Sequence, residues 1–87
     1  MKRNVKVEFK KLGRNKALGL AYKSENKIVL DPRLKGKDFL EVALHELLHV
    51  YFPYIIEEDI DNAATEMTQI LSDLGVIKSE KNSKMIQ

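Results

Sequence analysis

The chain has 87 residues, 44% of them hydrophobic and 32% charged, and contains no cysteine. That is the length of one small domain with an ordinary globular composition, and it excludes disulfide frameworks, cysteine zinc fingers and thiol catalysis. The net charge is only +2, but twelve Lys or Arg stand against three acids in residues 1–37, and three Lys against ten acids in residues 38–87; a nucleic-acid footprint usually leaves a whole domain basic, so the lysines are read as solvating a small sheet and attracting the acidic half.

Val5, Val7 and Phe9 alternate with Lys6, Glu8 and Lys10. That period of two predicts a strand with one buried face. Gly13-Arg14-Asn15 breaks it. Ala17–Tyr22 and Ile28–Leu30 are further apolar runs, and the polar Lys23–Lys27 between them predicts a hairpin. Asp31-Pro32 ends the third strand, because proline cannot continue a ladder. A helix is expected to start at Lys37 or Asp38, with Asp38 as N-cap and Glu41 completing a capping box. Leu40, Ala43, Leu44, Leu47, Leu48 and Tyr51 carry it on, and Pro53 stops it. A second helix is expected from Glu57, with an apolar stripe at Ile60, Ala63, Ala64, Met67, Ile70, Leu71 and Leu74. Glu57, Glu58 and Asp59 complement its N-terminal dipole, and Gly75 suits its C-terminus. Residues 1–77 are thus expected to form a single α+β domain: a three-stranded sheet with a hairpin, packed on two antiparallel helices. Residues 78–87 are expected to be a polar, flexible tail.

The first helix holds the two histidines of the chain, in His45-Glu46-Leu47-Leu48-His49. Residues i and i+4 share one helical face, so both imidazoles can reach one zinc ion with bonds of about 2.0–2.1 Å. Glu46 lies about a hundred degrees round the helix from His45. It is placed to act on water activated by the metal rather than to ligate, as a general base in peptide hydrolysis. Two unpaired imidazoles in so apolar a helix would be costly, which favours metal binding over a pair of core histidines.

The segment Ala43–Pro53, ALHELLHVYFP, resembles the active-site helix of the zincin metallopeptidases. The order of strand, hairpin, HExxH helix and acidic-led second helix over residues 5–75 is similar to the compact ImmA/IrrE-like and minigluzincin proteins, including small phage and bacterial members. The resemblance implies a zinc cofactor and a peptide or protein substrate, with Ile28–Leu30 as the edge strand that holds the substrate. Relatives of the ImmA/IrrE type cleave repressors of mobile elements. The resemblance also implies a third zinc ligand, a glutamate from the helix after the motif. Four acids qualify: Glu57, Glu58, Asp61 and Glu66. The helical wheel favours Glu57, with Asp61 bracing a histidine; Glu66 is the alternative because its spacing after His49 is closer to the gluzincin range.

Tyr51 and Tyr54 can each stabilise an oxyanion, although half-buried packing is the more common role for such a ring. Arg33 and Lys35 can meet a substrate carboxylate or simply solvate a loop. The stretch from Phe39 to Ile56 is broken by Glu41, His45, Glu46 and His49 and is no membrane span. No apolar run of signal-peptide length follows the basic N-terminus. A cytoplasmic location is expected, with no membrane and no nucleic-acid partner. The alternative to an enzyme is a non-catalytic zinc-containing module that binds a protein or peptide.

Overall fold

The computed structural model describes residues 2–13 and 18–77. Strands β1 (Lys6–Phe9), β2 (Gly19–Tyr22) and β3 (Lys27–Leu30) form one sheet in the order β1-β3-β2. Helices α1 (Gly36–Tyr51) and α2 (Glu57–Asp73) follow. This is the small α+β arrangement expected from the sequence. The proposed tail, residues 78–87, and the break at Arg14-Asn15 lie outside the described residues. Among the described residues no helix is long and apolar enough to cross a membrane.

β2 and β3 form the expected antiparallel hairpin, with Leu20 opposite Val29. A single turn of 3-10 helix, Lys23–Glu25, connects them. Asn26 closes that turn at φ +50, a left-handed value asparagine tolerates better than most side chains. β1 lies parallel to β3, with Val7 opposite Ile28. β3 is therefore the central strand, and Ile28, Val29 and Leu30 are all buried. Ile28–Leu30 is not the substrate-holding edge expected from the resemblance. β2 is the edge on the side of α1, because β1 and β2 occupy both flanks of β3.

Ile28, Leu30 and Val50 form the core, packed by Val5, Ala21, Phe39, Val42, Ala43 and Leu47. α1 lies over β2 and β3. β1 overhangs it, so Val7 and Phe9 remain more than half exposed. The single buried face expected for this strand is open, and Phe9 is covered only in part by stacking on Phe39, with ring centroids 6.3 Å apart.

α1 begins earlier than Asp38. The chain enters it through Gly36 at φ +57, a conformation that a Cβ disfavours. Lys35 occupies the cap position without a side-chain hydrogen bond. Asp38 sits inside the first turn instead, where it complements the dipole but cannot cap. α2 starts at Glu57 as expected and ends in a Schellman motif: Val76 N–H donates to Leu71 O and Gly75 N–H to Ser72 O, with Gly75 at φ +84.

The buried stripe of α2 is Ile60, Ala64 and Thr68, at intervals of four. Met67, Ile70 and Leu74, expected in that stripe, are 40%, 56% and 71% exposed. α2 packs on α1 rather than on the sheet, and one helix covers a narrower strip than a sheet does. Four side-chain pairs set the register: His49–Glu57, His45–Asp61, Glu41–Thr65 and Lys37–Gln69. Each step of four forward on α2 is a step of four back on α1, which makes the pair antiparallel.

A buried carboxylate joins the loops at the other end. Asp31 is fully buried and accepts hydrogen bonds from Leu12 N–H (3.0 Å), Arg33 N–H (2.9 Å), Arg33 Nε (2.8 Å) and Arg33 Nη2 (2.6 Å). Arg33 also donates from Nη2 to Leu12 O at 3.3 Å. Arg33 is thus engaged by Asp31 rather than by solvent alone, and the segment after β1 is tied to the turn before α1.

Candidate metal centre

His45 and His49 project from one face of α1, and both rings are largely shielded, at 19% and 15% side-chain exposure. Their Nε2 atoms lie 3.2 Å apart. Glu57, the first residue of α2, places Oε2 3.0 Å from His45 Nε2 and Oε1 2.8 Å from His49 Nε2. Among the described residues these three form the one group of His, Asp and Glu whose ligand atoms all lie within 4.8 Å of one another. A tetrahedral metal with bonds of about 2.0–2.1 Å sets its donor atoms about 3.3 Å apart. The observed separations are close to that edge length, so the donor set fits a tetrahedral divalent ion.

The second nitrogen of each ring adds to this. His45 Nδ1 is 3.0 Å from Asp61 Oδ1, a geometry in which Nδ1 carries the proton and donates it. In the metal-ligating form of the ring, Nε2 presents a lone pair toward the Glu57 carboxylate and His49. A cation between them relieves that opposition. Asp61 fixes the tautomer and the ring plane, the usual part of a carboxylate behind a ligating histidine. Among the described residues, the buried Nδ1 of His49 has no hydrogen-bond partner.

The acids separate by their place on α2. Glu57 and Asp61 belong to the every-fourth-residue ladder that faces α1. Glu58, Asp59 and Glu66 are exposed, and among the described residues none of them joins the cluster of donor atoms. The sequence had indicated Glu57 and Asp61 in these positions, with Glu66 as the alternative ligand.

Glu46 points into the cleft between α1 and β2. Burial pushes its carboxyl up from the ordinary glutamate value, the His45 ring acts in the opposite sense, and nearby Glu57 reinforces the rise. It is left out of the cluster formed by the imidazoles and Glu57. The cleft has two lobes that share Gly19, His45 and Glu46. The larger, about 560 Å³, is also lined by Asp38, Glu41 and Asp61. The smaller, about 310 Å³, holds Lys23, His49 and Glu57.

Sequence reasoning missed two residues of this cleft. One is Gly19. A Cβ there would stand 2.7 Å from Val42 Cγ1, 2.9 Å from Glu46 Cγ and 3.0 Å from Glu46 Oε2; only glycine lets β2 approach α1 so closely. A lone glycine within an apolar run was the available signal. The other is Lys23, whose place in a turn gave no hint of where its side chain would lie. Tyr51 and Tyr54, expected to pack as half-buried rings with an oxyanion role as the lesser alternative, line a separate cavity with Arg3, Phe52, Pro53 and Ile55. Tyr51 is half-buried there, and Tyr54 is 95% exposed.

No family model matches this chain, and searches of curated proteins and of solved structures find no match either.

Proposed function

We propose that this protein is a zinc-dependent metallopeptidase in which His45, His49 and Glu57 hold the metal and Glu46 is the general base. The observation that carries the reading is the convergence of two imidazole nitrogens and one carboxylate, 2.8–3.2 Å apart, beside a glutamate that is not part of the set. A purely structural site has no use for that extra carboxylate. Zinc, when bound, supplies Lewis acidity to the scissile carbonyl and to the attacking water.

The chain's own residues supply the rest. Glu46 takes a proton from water on the floor of the cleft and passes it to the leaving amine, so that the peptide bond breaks with protons balanced. Asp61 keeps the His45 ring turned toward the metal. β2 offers the peptide a docking edge. Asp31 N–H donates to Leu18 O across the hairpin, so alternation places the ladder bonds to β3 at Leu20 and Tyr22. The main-chain groups of Gly19 and Ala21 then face away from β3, toward a strand that could pair there.

The test is elemental analysis of the purified chain, followed by hydrolysis of a quenched peptide library. About one zinc per chain, lost in His45→Ala, is expected. Glu46→Gln should keep its zinc and lose roughly a hundredfold or more in turnover. A chain that cannot be loaded with zinc ends this reading. A zinc-loaded wild type that cleaves no peptide or protein turns it into a binding module.

A further inference from the structure

Lys23 begins the 3-10 turn that directly follows β2. It lines the smaller lobe of the cleft beside His45, Glu46, His49 and Glu57. Among the described residues it is the one Lys or Arg that lines either lobe. The neighbouring lysine is used differently: Lys27 Nζ lies 3.2 Å from Glu8 and 3.9 Å from Glu25, and over the Tyr22 ring. Lys23 has no ion pair or side-chain hydrogen bond among the described residues, although Glu57 shares its lobe, because Glu57 is turned to the two imidazoles.

Hydrolysis of a peptide puts negative charge on the scissile carbonyl oxygen, and a free C-terminal carboxylate brings such charge with the substrate. Beside the metal, a donor from the protein stabilises either charge, and a charged donor forms the stronger bond. The tyrosines that could have provided it line another cavity. The remaining side chains of the smaller lobe are imidazoles and carboxylates assigned to metal or base, or are apolar. Lys23 also follows Tyr22 in sequence, so it stands at the end of the strand along which a peptide paired at Gly19 and Ala21 would lie.

We propose that Lys23 binds an anionic oxygen of the substrate, either the oxyanion developing at the scissile carbonyl or a terminal carboxylate. This rests on the metallopeptidase reading and goes beyond it by naming the anion-binding residue.

The experiment uses zinc-loaded full-length chain and two small probes: phenylphosphonate, an anion, and acetohydroxamate, a metal chelator that does not need a cationic partner. Zinc content is measured first. Lys23→Ala and Lys23→Gln should keep their zinc and their acetohydroxamate affinity, while phenylphosphonate binds roughly tenfold more weakly. Lys23→Arg should restore most of that loss. Unchanged phenylphosphonate affinity in the Ala and Gln variants overturns the assignment, as does a zinc-loaded wild type that does not bind the anion. A wild type that takes up no zinc defeats the metallopeptidase reading itself and is recognised before any anion is added. Hydrolysis of matched peptides with free and amidated C-termini separates the two anions. A fall in kcat on both identifies the carbonyl oxyanion; a rise in KM confined to the free acid identifies the terminal carboxylate.

Discussion

Asp61 Oδ1 stands 3.0 Å from His45 Nδ1, on the side of the ring away from the Glu57 carboxylate. It reaches that place because Asp61 is one turn beyond Glu57 on α2, just as His45 is one turn before His49 on α1. One antiparallel register therefore sets a carboxylate against both rings and a second one behind His45.

Asp61→Ala should leave one zinc per chain at saturation but weaken zinc affinity about ten- to a hundredfold, the usual effect of removing a carboxylate behind a ligating histidine. Competition against a chromophoric chelator measures this. An affinity equal to wild type would mean that the 3.0 Å contact does not orient His45.

Glu57→Ala should lose zinc at micromolar metal, and Glu66→Ala should retain it. The same samples can be followed by thermal unfolding. Zinc binding to the folded state alone should raise the midpoint in wild type and in Glu66→Ala but not in Glu57→Ala. The reverse pattern would transfer the third-ligand role to the exposed Glu66.

Much of the His45, His49 and Glu57 cluster was legible in the sequence because it depends on helical geometry alone. The spacing of His45 and His49 fixes a common face, and the short link around Pro53 returns α2 against it, so the phase of α2 singles out Glu57. What sequence did not reveal depends on pairing between distant strands. The alternation of Val5, Val7 and Phe9 marks a strand, but a period of two cannot say that β1 runs parallel to β3 and so pushes β2 to the edge. The same gap hid Gly19 and Lys23, which matter only once β2 lies against α1. Met67 and Ile70 have the right helical phase for burial, yet among the described residues α2 packs chiefly on α1. In the sequence Asp31 with Pro32 marks only a strand end, whereas its carboxylate is a buried acceptor for donors from two segments.

That carboxylate predicts a pH dependence of stability. The Arg33 guanidinium beside Asp31, with the Arg33 and Leu12 N–H groups, holds its carboxyl far below the ordinary aspartate value despite the opposing effect of burial. A carboxyl depressed in the folded state contributes its full stabilisation above its unfolded value of about 3.9 and loses it as pH falls below that. Urea unfolding should therefore show a constant gap between wild type and Asp31→Asn from pH 7 to about 5, closing as pH falls through 4 toward 2. Parallel curves over that range would mean the hydrogen bonds do not favour the charged form.

Gly19→Ala tests whether β2 positions the general base. The added methyl would have to displace Val42 or Glu46, since both lie within 3.0 Å of where it would stand. Overpacking of this kind costs about 1–3 kcal/mol, so the urea midpoint should fall. Val42→Ala in the same chain should recover only the part due to Val42 Cγ1. The part due to Glu46 should persist as a loss of turnover at full zinc occupancy, because none of the three ligands is among the atoms that the methyl meets. If the double variant regains both stability and turnover, Gly19 serves helix–sheet packing and leaves the position of Glu46 to α1 alone.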